Sequence, residues 1–377
     1  MKFRGYKRNI YKNLSNIPGW SSRRKLIVIE SDDWGSIRMP SLKVFDKLEK
    51  AGLDMRSADA ERFNMNDTLA SAKDLENLFE VLSGARDVNS NFAVFTPVCI
   101  VANPDFNKIK ESGFNDYFYE PFIDTLKRSK DSENAFDLWR EGIEKRLFVP
   151  QMHGREHLNI SSWLKALKKG EMKTLLAFEE KVWGFVPDTY PDVDYQAAFL
   201  LTDNIELDYH KEIIESGLGL FNDIFGYQAE YFVPPNGQFN NSLNKILAEN
   251  GIKLRSVAKL QTESVGKGKQ KKKLHYLGQQ DRYGIKYITR NCLFEPGQDE
   301  RDWVDSCLYD IKTAFRWNKP AIISTHRVNY IGGLNLKNRD NGLKQLSELL
   351  KEITKKWPDA EFITTAELGR LMNNANE

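Results

Sequence analysis

The stretch Lys25-Leu-Ile-Val-Ile-Glu-Ser-Asp-Asp-Trp-Gly35 places a short apolar run directly before two adjacent carboxylates, Asp32 and Asp33. The apolar run has the length and β-branched character of a buried strand. Adjacent carboxylates are costly to ionise together, because like charges raise one another's pKa. A metal ion would remove that cost if one carboxylate bound it and the other remained free as a base. The alternative is a polar turn in which an aspartate caps the next helix.

Further apolar runs of strand length recur along the chain with helical patterns between them, which predicts a parallel α/β fold. The nine strand predictions are residues 25–29, 92–96, 148–152, 197–202, 229–233, 253–257, 285–289, 321–325 and 361–364. The main helix predictions are residues 42–51, 73–82, 160–168, 241–250, 303–317 and 343–356. Nine candidates suit a seven- or eight-stranded barrel with one false strand.

Two intervals between strand candidates are too long for simple connections, about 36–90 and 104–146. Intervals of this length usually contain helical insertions, and in an α/β barrel such insertions lie over the active face. We therefore predict one enlarged barrel over residues 25–377, preceded by a basic segment over residues 1–24. This segment fits either a solvated leader or a peripheral contact with an anionic membrane.

Composition excludes several classes of protein. The 377 residues are 41% hydrophobic and 29% charged, so the chain can bury a core and is neither disordered nor collagen-like. The formal net charge of +2 gives little support to a nucleic-acid partner, and we predict none. Three cysteines without a C-x-x-C pair exclude a thiolate zinc site.

Because no export signal or membrane span stands out, we expect a cytoplasmic protein. The lysine-rich run 266–273 predicts a mobile solvated loop, with a polyanion-binding patch as the alternative.

Two of the five histidines, His153 and His157, follow a strand candidate at i and i+4. This spacing can bring two imidazoles to one metal ion, although two surface histidines without a metal would show the same pattern. A third histidine, His326, ends the strand candidate 321–325. Polar residues at the carboxyl ends of barrel strands commonly carry catalysis, whereas a core histidine bonded to the backbone is the alternative.

The loop Pro234-Pro235-Asn236-Gly237 also follows a strand candidate. Two prolines fix an extended path and Gly237 permits a tight turn. The backbone amides of Asn236 and Gly237 would then face a cleft, which is how a main-chain oxyanion site is made.

In this order the four motifs resemble those of the polysaccharide deacetylase family, carbohydrate esterase family 4. Family members typically show T-F-D-D-G, H-[ST]-x-x-H, R-x-P-Y or R-P-P-Y-G, and a strand that ends L-x-H. The counterparts here are Glu30-Ser-Asp-Asp-Trp34, His153-Gly-Arg-Glu-His157, Val233-Pro-Pro-Asn-Gly237 and Ser324-Thr-His326. The resemblance extends over about residues 25–372 and implies a distorted seven- or eight-stranded (β/α) barrel of the deacetylase type.

The resemblance also implies an active site. Asp33, His153 and His157 would bind one divalent metal ion, with zinc (Zn2+) the first expectation. Asp32 would take the proton of the attacking water, the amide of Asn236 would bind the oxyanion, and His326 would protonate the leaving amine. The expected reaction removes an acetyl group, N-acetyl in the first instance, from a sugar. The expected substrate is a glycan or a lipid-linked or nucleotide-linked sugar.

The motifs depart from the family pattern at three positions. Val233 stands where the family has an arginine that orients the base, Asn236 replaces a tyrosine, and Trp34 stands at a glycine. The candidates to replace the arginine are Arg155, Arg290 and Arg327. Further residues expected to contact substrate or to support the base are Trp34, Pro235 and Asn291, and Trp163 and Tyr330 are alternative aromatic platforms for a sugar.

Two other functions fit parts of the sequence. The segment 153–157 also matches H-x-x-E-H, a zinc-peptidase pattern in which Glu156 would be the base. That pattern must lie in a helix, and Pro150 and Gly154 disfavour one. A non-catalytic glycan-binding or scaffold protein is the second alternative, with Val233 and Asn236 as signs of a decayed site.

Overall fold

The computed structural model describes residues 12–57, 59–185, 187 and 195–374. Within these ranges strands and helices alternate along most of the chain. The strands are β1 (Lys25–Trp34), β2 (Phe95–Ile100), β3 (Ala102–Pro104), β4 (Tyr119–Pro121), β5 (Gln151–Gly154), β6 (Tyr231–Phe232), β7 (Leu254–Ser256), β8 (Leu260–Ser264), β9 (Gln270–Leu274), β10 (Lys286–Ile288), β11 (Cys292–Leu293), β12 (Ala321–His326) and β13 (Ala360–Phe362). The α-helices are α1 (Leu42–Lys50), α2 (Ala60–Asn66), α3 (Ala72–Ser83), α4 (Phe106–Glu111), α5 (Phe122–Arg128), α6 (Ala135–Glu144), α7 (Ile160–Lys168), α8 (Met172–Glu179), α9 (Glu206–Phe225), α10 (Asn244–Glu249), α11 (Trp303–Arg316), α12 (Leu336–Lys356) and α13 (Thr365–Asn373).

A parallel sheet forms the centre of the molecule. Its strand order is β10-β7-β6-β5-β2-β1-β12-β11, and β13 pairs with the first residues of β1. The central strand β1 is buried along almost its whole length. Its alternate residues enter two different cores: Ile27 and Ile29 pack in the large cluster with the surrounding helices, and Leu26 and Val28 in a smaller cluster. Alternation of this kind follows from the two-residue period of a strand.

The smaller cluster shows that the sheet curls. It brings together side chains from strands far apart in the sheet order, such as Leu254 of β7, Ile288 of β10 and Ile322 of β12. Strands separated by several neighbours can share one core only if the sheet bends round on itself. The predicted distorted (β/α) barrel is therefore confirmed. Among the described strands, β10 and β11 are the two ends of the order and do not pair with each other.

Residues 12–24 contact this open side of the barrel. The Asn291 side chain, in the connection between β10 and β11, donates from Nδ2 to Asn16 Oδ1 at 3.2 Å. The amide of Trp20 donates to the carbonyl of Leu277 at 2.8 Å. The idea of a solvated leader is therefore wrong for residues 12–24. Residues 1–11 lie outside the described residues, and membrane contact through them stays a prediction, as does the division into segments 1–24 and 25–377.

Eight of the nine strand predictions correspond to strands of the sheet. The prediction for residues 197–202 is wrong, because this segment forms turns whose apolar side chains are buried without strand pairing. The side-chain amide of Asn159 holds it by donating to the carbonyl of Leu200 at 2.9 Å. The sequence pattern missed β11, which has only two residues.

The predicted mobile loop at residues 266–273 is also wrong. This run closes an antiparallel hairpin of β8 and β9. Lys273 Nζ lies 2.8 Å from Glu263 Oε2 across the two strands, so opposite charges support the pairing that the lysine-rich composition disfavours.

The long intervals fold as helices. The residues between β1 and β2 form α1 to α3, and those between β3 and β5 form β4 and α4 to α6. No helix among the described residues is long and apolar enough to cross a bilayer.

Candidate metal centre and active-site cavity

The carboxyl ends of the parallel strands open into a cavity of about 490 Å³. We call it the active-site cavity, and the predicted residues that line it are Asp32, Asp33, His153, His157, Asn236, Arg290 and His326. Strand register explains part of this convergence, because Asp32 at the end of β1 lies beside His326 at the end of β12. The four motifs therefore meet at one place, although almost 300 residues of chain separate the first from the last.

The end of β1 is bent so that its two carboxylates face different partners. Asp33 has a φ of 74°, in the left-handed region that side chains other than glycine adopt at a cost of about 1–3 kcal/mol. The pairing of β1 with β2 shifts register between Ser31 and Trp34, around this residue. Asp33 thereby contacts two histidines, whereas Asp32 contacts an arginine. Each carboxylate therefore has partners of its own that stabilise its negative charge.

Asp33, His153 and His157 form a cluster suited to a metal ion. Asp33 Oδ1 lies 3.4 Å from His153 Nε2 and 3.3 Å from His157 Nε2, and one ligand atom from each residue lies within 4.8 Å of the others. All three side chains are buried. His153 Nδ1 lies 2.7 Å from the carbonyl oxygen of Val233. Because a carbonyl oxygen can only accept, Nδ1 carries the proton and the lone pair is on Nε2. Among the described residues, Nε2 itself has no hydrogen-bond partner.

The protonation states suit a cation as well. Burial lowers the pKa of His157 and so favours the neutral, metal-binding imidazole. Burial alone would raise the pKa of Asp33, but the imidazoles of His153 and His157 hold it well below its usual range. Two neutral imidazoles and one ionised carboxylate are a donor set used by zinc and other first-row divalent metals. The residues therefore fit one divalent ion.

Arg290 holds the second carboxylate. Its Nη1 and Nη2 each donate to an oxygen of Asp32 at 2.6 Å, and its Nε donates to Glu30 Oε2 at 2.6 Å. Burial would raise the pKa of Asp32, but the adjacent guanidinium lowers it below its usual range. Glu30 is fully buried and also accepts from the Tyr231 and Thr365 hydroxyls, which fixes the far side of the arginine. A bidentate pair of this kind sets both the charge and the orientation of the carboxylate.

Of the three arginine candidates, only Arg290 reaches Asp32. The idea that Arg155 orients the base is wrong, because its Nε donates to Glu156 at 2.6 Å and its Nη1 to a serine on α9. The idea that Arg327 orients the base is also wrong, because Arg327 is completely buried in a bidentate pair with Asp67. Arg290 thus supplies the contact that Val233 cannot make.

His326 is paired with a carboxylate that the sequence pattern did not identify. His326 Nδ1 lies 2.6 Å from Glu295 Oε1, and His326 Nε2 lies 4.0 Å from Asp32 Oδ2. Burial would lower the pKa of His326, but Glu295 outweighs it and raises the pKa to about 9. Glu295 also accepts from Arg62 and Asn329, at 2.7 and 2.8 Å, so its position is fixed from three sides.

The loop after β6 brings Asn236 to the cavity as predicted, with a positive φ of 51°. The amide of Gly237 is not available for an oxyanion, because it donates to the carbonyl of Pro234 at 2.9 Å. Pro235 is buried and packs near Gly154 rather than on the cavity wall.

The proposed aromatic platforms are wrong. Trp34, Trp163 and Tyr330 are each 1% exposed or less and belong to the large core cluster. Asn291 is structural as well, since its Oδ1 accepts from the amide of Ile322 at 2.9 Å and its Nδ2 donates to Asn16 Oδ1 at 3.2 Å and to the carbonyl of Pro320 at 3.0 Å. An apolar pattern at strand ends does not distinguish a core aromatic from one that faces a ligand.

The insertion between β1 and β2 supplies cavity residues that no motif signalled. Phe63 of α2 lies edge-on to His326, with ring centroids 5.6 Å apart, and Arg38 lines the wall beside it. Glu295 had a weak signal, as a single carboxylate that follows a short apolar run. Phe63 and Arg38 had none, because their positions depend on how the insertion packs.

The peptidase alternative is contradicted. His153 and Gly154 end strand β5, and residues 155–157 follow it without a helix. Glu156, its required base, is buried in a pair with Arg155 and does not line the active-site cavity.

Comparison with known proteins gives structural matches only. No family model matches the sequence, and no curated protein matches it. A probable polysaccharide deacetylase from Pseudomonas aeruginosa PAO1 is similar over 94% of this chain and 93% of its own, with a TM-score of 0.50 and 8% identity. A candidate glycoside hydrolase/deacetylase from Parabacteroides distasonis is similar over 95% of this chain and 74% of its own, with a TM-score of 0.50 and 9% identity.

A carbohydrate esterase family 4 pseudoenzyme from Bacillus anthracis is a more distant match. It covers 92% of this chain and 66% of its own, with a TM-score of 0.38 and 9% identity. At such identities a structural match speaks to the fold. The resemblance inferred from the four motifs is confirmed at that level, and the chain has the fold of the polysaccharide deacetylases.

Proposed function

We propose that this chain is a metal-dependent deacetylase that removes an N-acetyl group from a sugar. The observation that carries the proposal is the meeting, in one cavity, of the Asp33–His153–His157 cluster with the Asp32–Arg290 pair and the protonated His326. A ligand cluster, a base and an acid are the groups that hydrolysis of an amide needs. The deacetylase fold is compatible with this reaction, but the fold does not identify the substrate.

Asp33, His153 and His157 would hold the divalent ion, for which zinc is the first expectation. When bound, such an ion polarises an acyl carbonyl and lowers the pKa of water. The three side chains are buried, and one ligand atom from each already lies within 4.8 Å of the others.

Asp32 is the proposed general base. The bidentate contact with Arg290 keeps it ionised at neutral pH and directs its oxygens into the cavity. An aspartate with a lowered pKa is a weak base, and the benefit of the arginine is orientation. Glu30 anchors the guanidinium from behind, so the base belongs to a chain of three charged groups in which Glu30 and Asp32 are buried and Arg290 is partly exposed.

His326 is the proposed general acid. With a pKa of about 9 it is protonated at neutral pH, and its Nε2 faces the cavity near Asp32. Protonation of the leaving nitrogen is required because an amine anion is a very poor leaving group. The amide of Asn236 is the proposed donor to the oxyanion, from the loop opposite.

The test is release of acetate from a panel of N-acetylated glycans, lipid-linked sugars and nucleotide-linked sugars by the zinc-loaded protein. We expect turnover of at least one substrate, and a loss of roughly 10²–10⁴-fold in Asp32→Asn. Asp59→Asn is the matched control, because Asp59 also lines the cavity and contacts Arg62 but touches none of the proposed catalytic groups. Absence of turnover over the whole panel would favour the glycan-binding or scaffold alternative.

The substrate's location is part of the same proposal. A cytoplasmic protein of this kind would act on a lipid-linked or nucleotide-linked precursor rather than on an external polymer. Fractionation of native cells tests this, and recovery of the protein outside the cytoplasm would contradict it.

A further inference from the structure

Arg38 lies at the junction of two cavities. It lines the active-site cavity and also a neighbouring cavity of about 770 Å³, which we call the side cavity. Residues that line the side cavity include Arg38, Asn103, Asp105, Glu120, Lys130 and Lys181. A ligand that extends from the metal centre into the side cavity would therefore pass this guanidinium.

Arg38 lacks the partners that nearby arginines have. Arg62, Arg290 and Arg327 each bind a carboxylate at 3.0 Å or less. Within the described part of the chain, Arg38 makes no ion pair, and its Nε is buried without a hydrogen-bond partner. An unsatisfied buried donor destabilises the protein, and more so when the group is charged. An acceptor that reached the guanidinium would offset part of that loss.

Two aromatic rings fix the position of this guanidinium. Its Cζ lies 5.1 Å from the Phe63 ring centroid and 6.0 Å from that of Trp183. The same rings touch the proposed catalytic histidines: Phe63 meets His326 edge-on, and Trp183 stacks on His157 at 6.1 Å. The charge of Arg38 is thus held at a defined place relative to the reacting centre, with its polar edge unused.

The wall of the side cavity also has more unpaired positive than unpaired negative side chains. Two of its acids are already paired, Asp105 with Lys108 at 3.1 Å and Glu120 with Arg128. Among the described residues, the cations of the wall without an ion pair are Arg38, Lys130 and Lys181, and Asp131 is the acid without one. The charge that is free to meet a ligand is therefore mainly positive.

We propose that the substrate is an acetylated sugar bearing a phosphate or carboxylate group, which Arg38 binds at the junction while the remainder occupies the side cavity. This inference rests on the proposed deacetylase function and narrows its substrate class. Phosphate and carboxylate share the oxygen geometry that a planar guanidinium binds through two parallel hydrogen bonds.

The test is calorimetric titration of the zinc-loaded protein with three probes. N-acetylglucosamine 1-phosphate carries the phosphate, N-acetylmuramic acid carries the carboxylate, and N-acetylglucosamine is neutral. We expect at least one anionic probe to bind the native protein about tenfold or more tightly than the neutral sugar. Arg38→Gln is expected to lower the affinity for that anionic probe about tenfold or more beyond any change in the affinity for the neutral sugar. Whichever anionic probe shows the preference identifies the group.

Arg140→Gln is the matched control. Arg140 also lies over a phenylalanine ring, at 4.9 Å from Phe136, but lines neither cavity. The inference is overturned if neither anionic probe is preferred, if the preference survives in Arg38→Gln, or if Arg140→Gln removes it equally. Binding needs no turnover, so failure here with acetate release intact rejects the anionic substrate alone. Anion binding without any acetate release rejects the deacetylase proposal alone.

Discussion

Replacement of Glu295 by glutamine is the sharpest test of the proposed acid. Glu295 Oε1 lies 2.6 Å from His326 Nδ1, and the side chain is buried, so water screens the pair poorly. Glutamine keeps the shape and can still accept from Asn329, but it removes the negative charge. Burial of the imidazole is then opposed only by the charges of Asp33 and Asp32, and the pKa of His326 falls from about 9 towards its ordinary value of about 6.5.

The size of the effect follows from these two values. At about pH 8 an imidazole of pKa 9 is about 90% protonated, and one of pKa 6.5 is about 3% protonated. If His326 is the acid, kcat/KM at this pH falls by up to about 30-fold, and the alkaline limb of the profile moves down by up to about 2.5 pH units. A bound divalent cation lowers both values, so the shift between the two proteins is the quantity to compare.

Stability changes in a direction fixed by the same pKa. Because the folded state raises the pKa of His326 above its ordinary value, the pair stabilises the protein fully below about pH 6.5. That contribution disappears as pH rises through about 9. The free energy of unfolding of Glu295→Gln should therefore be lower by up to about 3 kcal/mol at pH 6, and the deficit should shrink towards pH 10.

Nuclear magnetic resonance titration of His326 in the metal-free protein measures the pKa directly, and denaturant unfolding at several pH values measures the stability. Asp59→Asn serves again as the control, since it removes a carboxylate from Arg62 without contacting His326. If the pKa of His326 is the same in Glu295→Gln and in the native protein, Glu295 does not raise that pKa, irrespective of any change in kcat/KM.

Three further outcomes are expected. Arg290→Met leaves the buried Glu30 and Asp32 carboxylates without their guanidinium partner and should lower the free energy of unfolding by about 3–5 kcal/mol in a urea titration, whereas Arg290→Lys should lose less. Asp33→Ala should reduce bound zinc, measured by atomic absorption after dialysis, to a small fraction of the native content, because two imidazoles alone bind weakly. Glu156→Gln should retain zinc and most acetate release, since Glu156 faces away from the cavity; complete loss of turnover in a folded, zinc-loaded protein would revive the peptidase mechanism.

Local patterns were sufficient for much of this fold. Eight strands were predictable because a buried parallel strand is a short β-branched run, and that signal is present in the residues themselves. The same signal failed at residues 197–202, where apolar side chains are buried beneath a loop whose backbone bonds to Asn159. A buried loop and a buried strand can have the same apolar composition, but only a segment that pairs with a neighbouring strand is a strand.

The candidate site divides in the same way. Asp32, Asp33, His153, His157 and His326 could be named in advance because each follows a strand directly, and carboxyl ends of parallel strands share one edge. Their partners could not be assigned in the same way. Arg290 and Glu295 lie outside the four motifs, in the connections on either side of β11. Arg290 was one of three arginine candidates, and Glu295 had only the weak signal of a carboxylate that follows a short apolar run.

The residue types at the strand ends can be read from the chain directly, and they limit the chemistry available to two imidazoles with a carboxylate, a second carboxylate and a further imidazole. How these groups are paired depends on the folded arrangement. The choice of Arg290 over Arg155 and Arg327 depends on strand register and on which loops approach the cavity, which places Arg290 beside a carboxylate 258 residues away. Such contacts arise from packing between distant segments, and no periodicity within a segment encodes them.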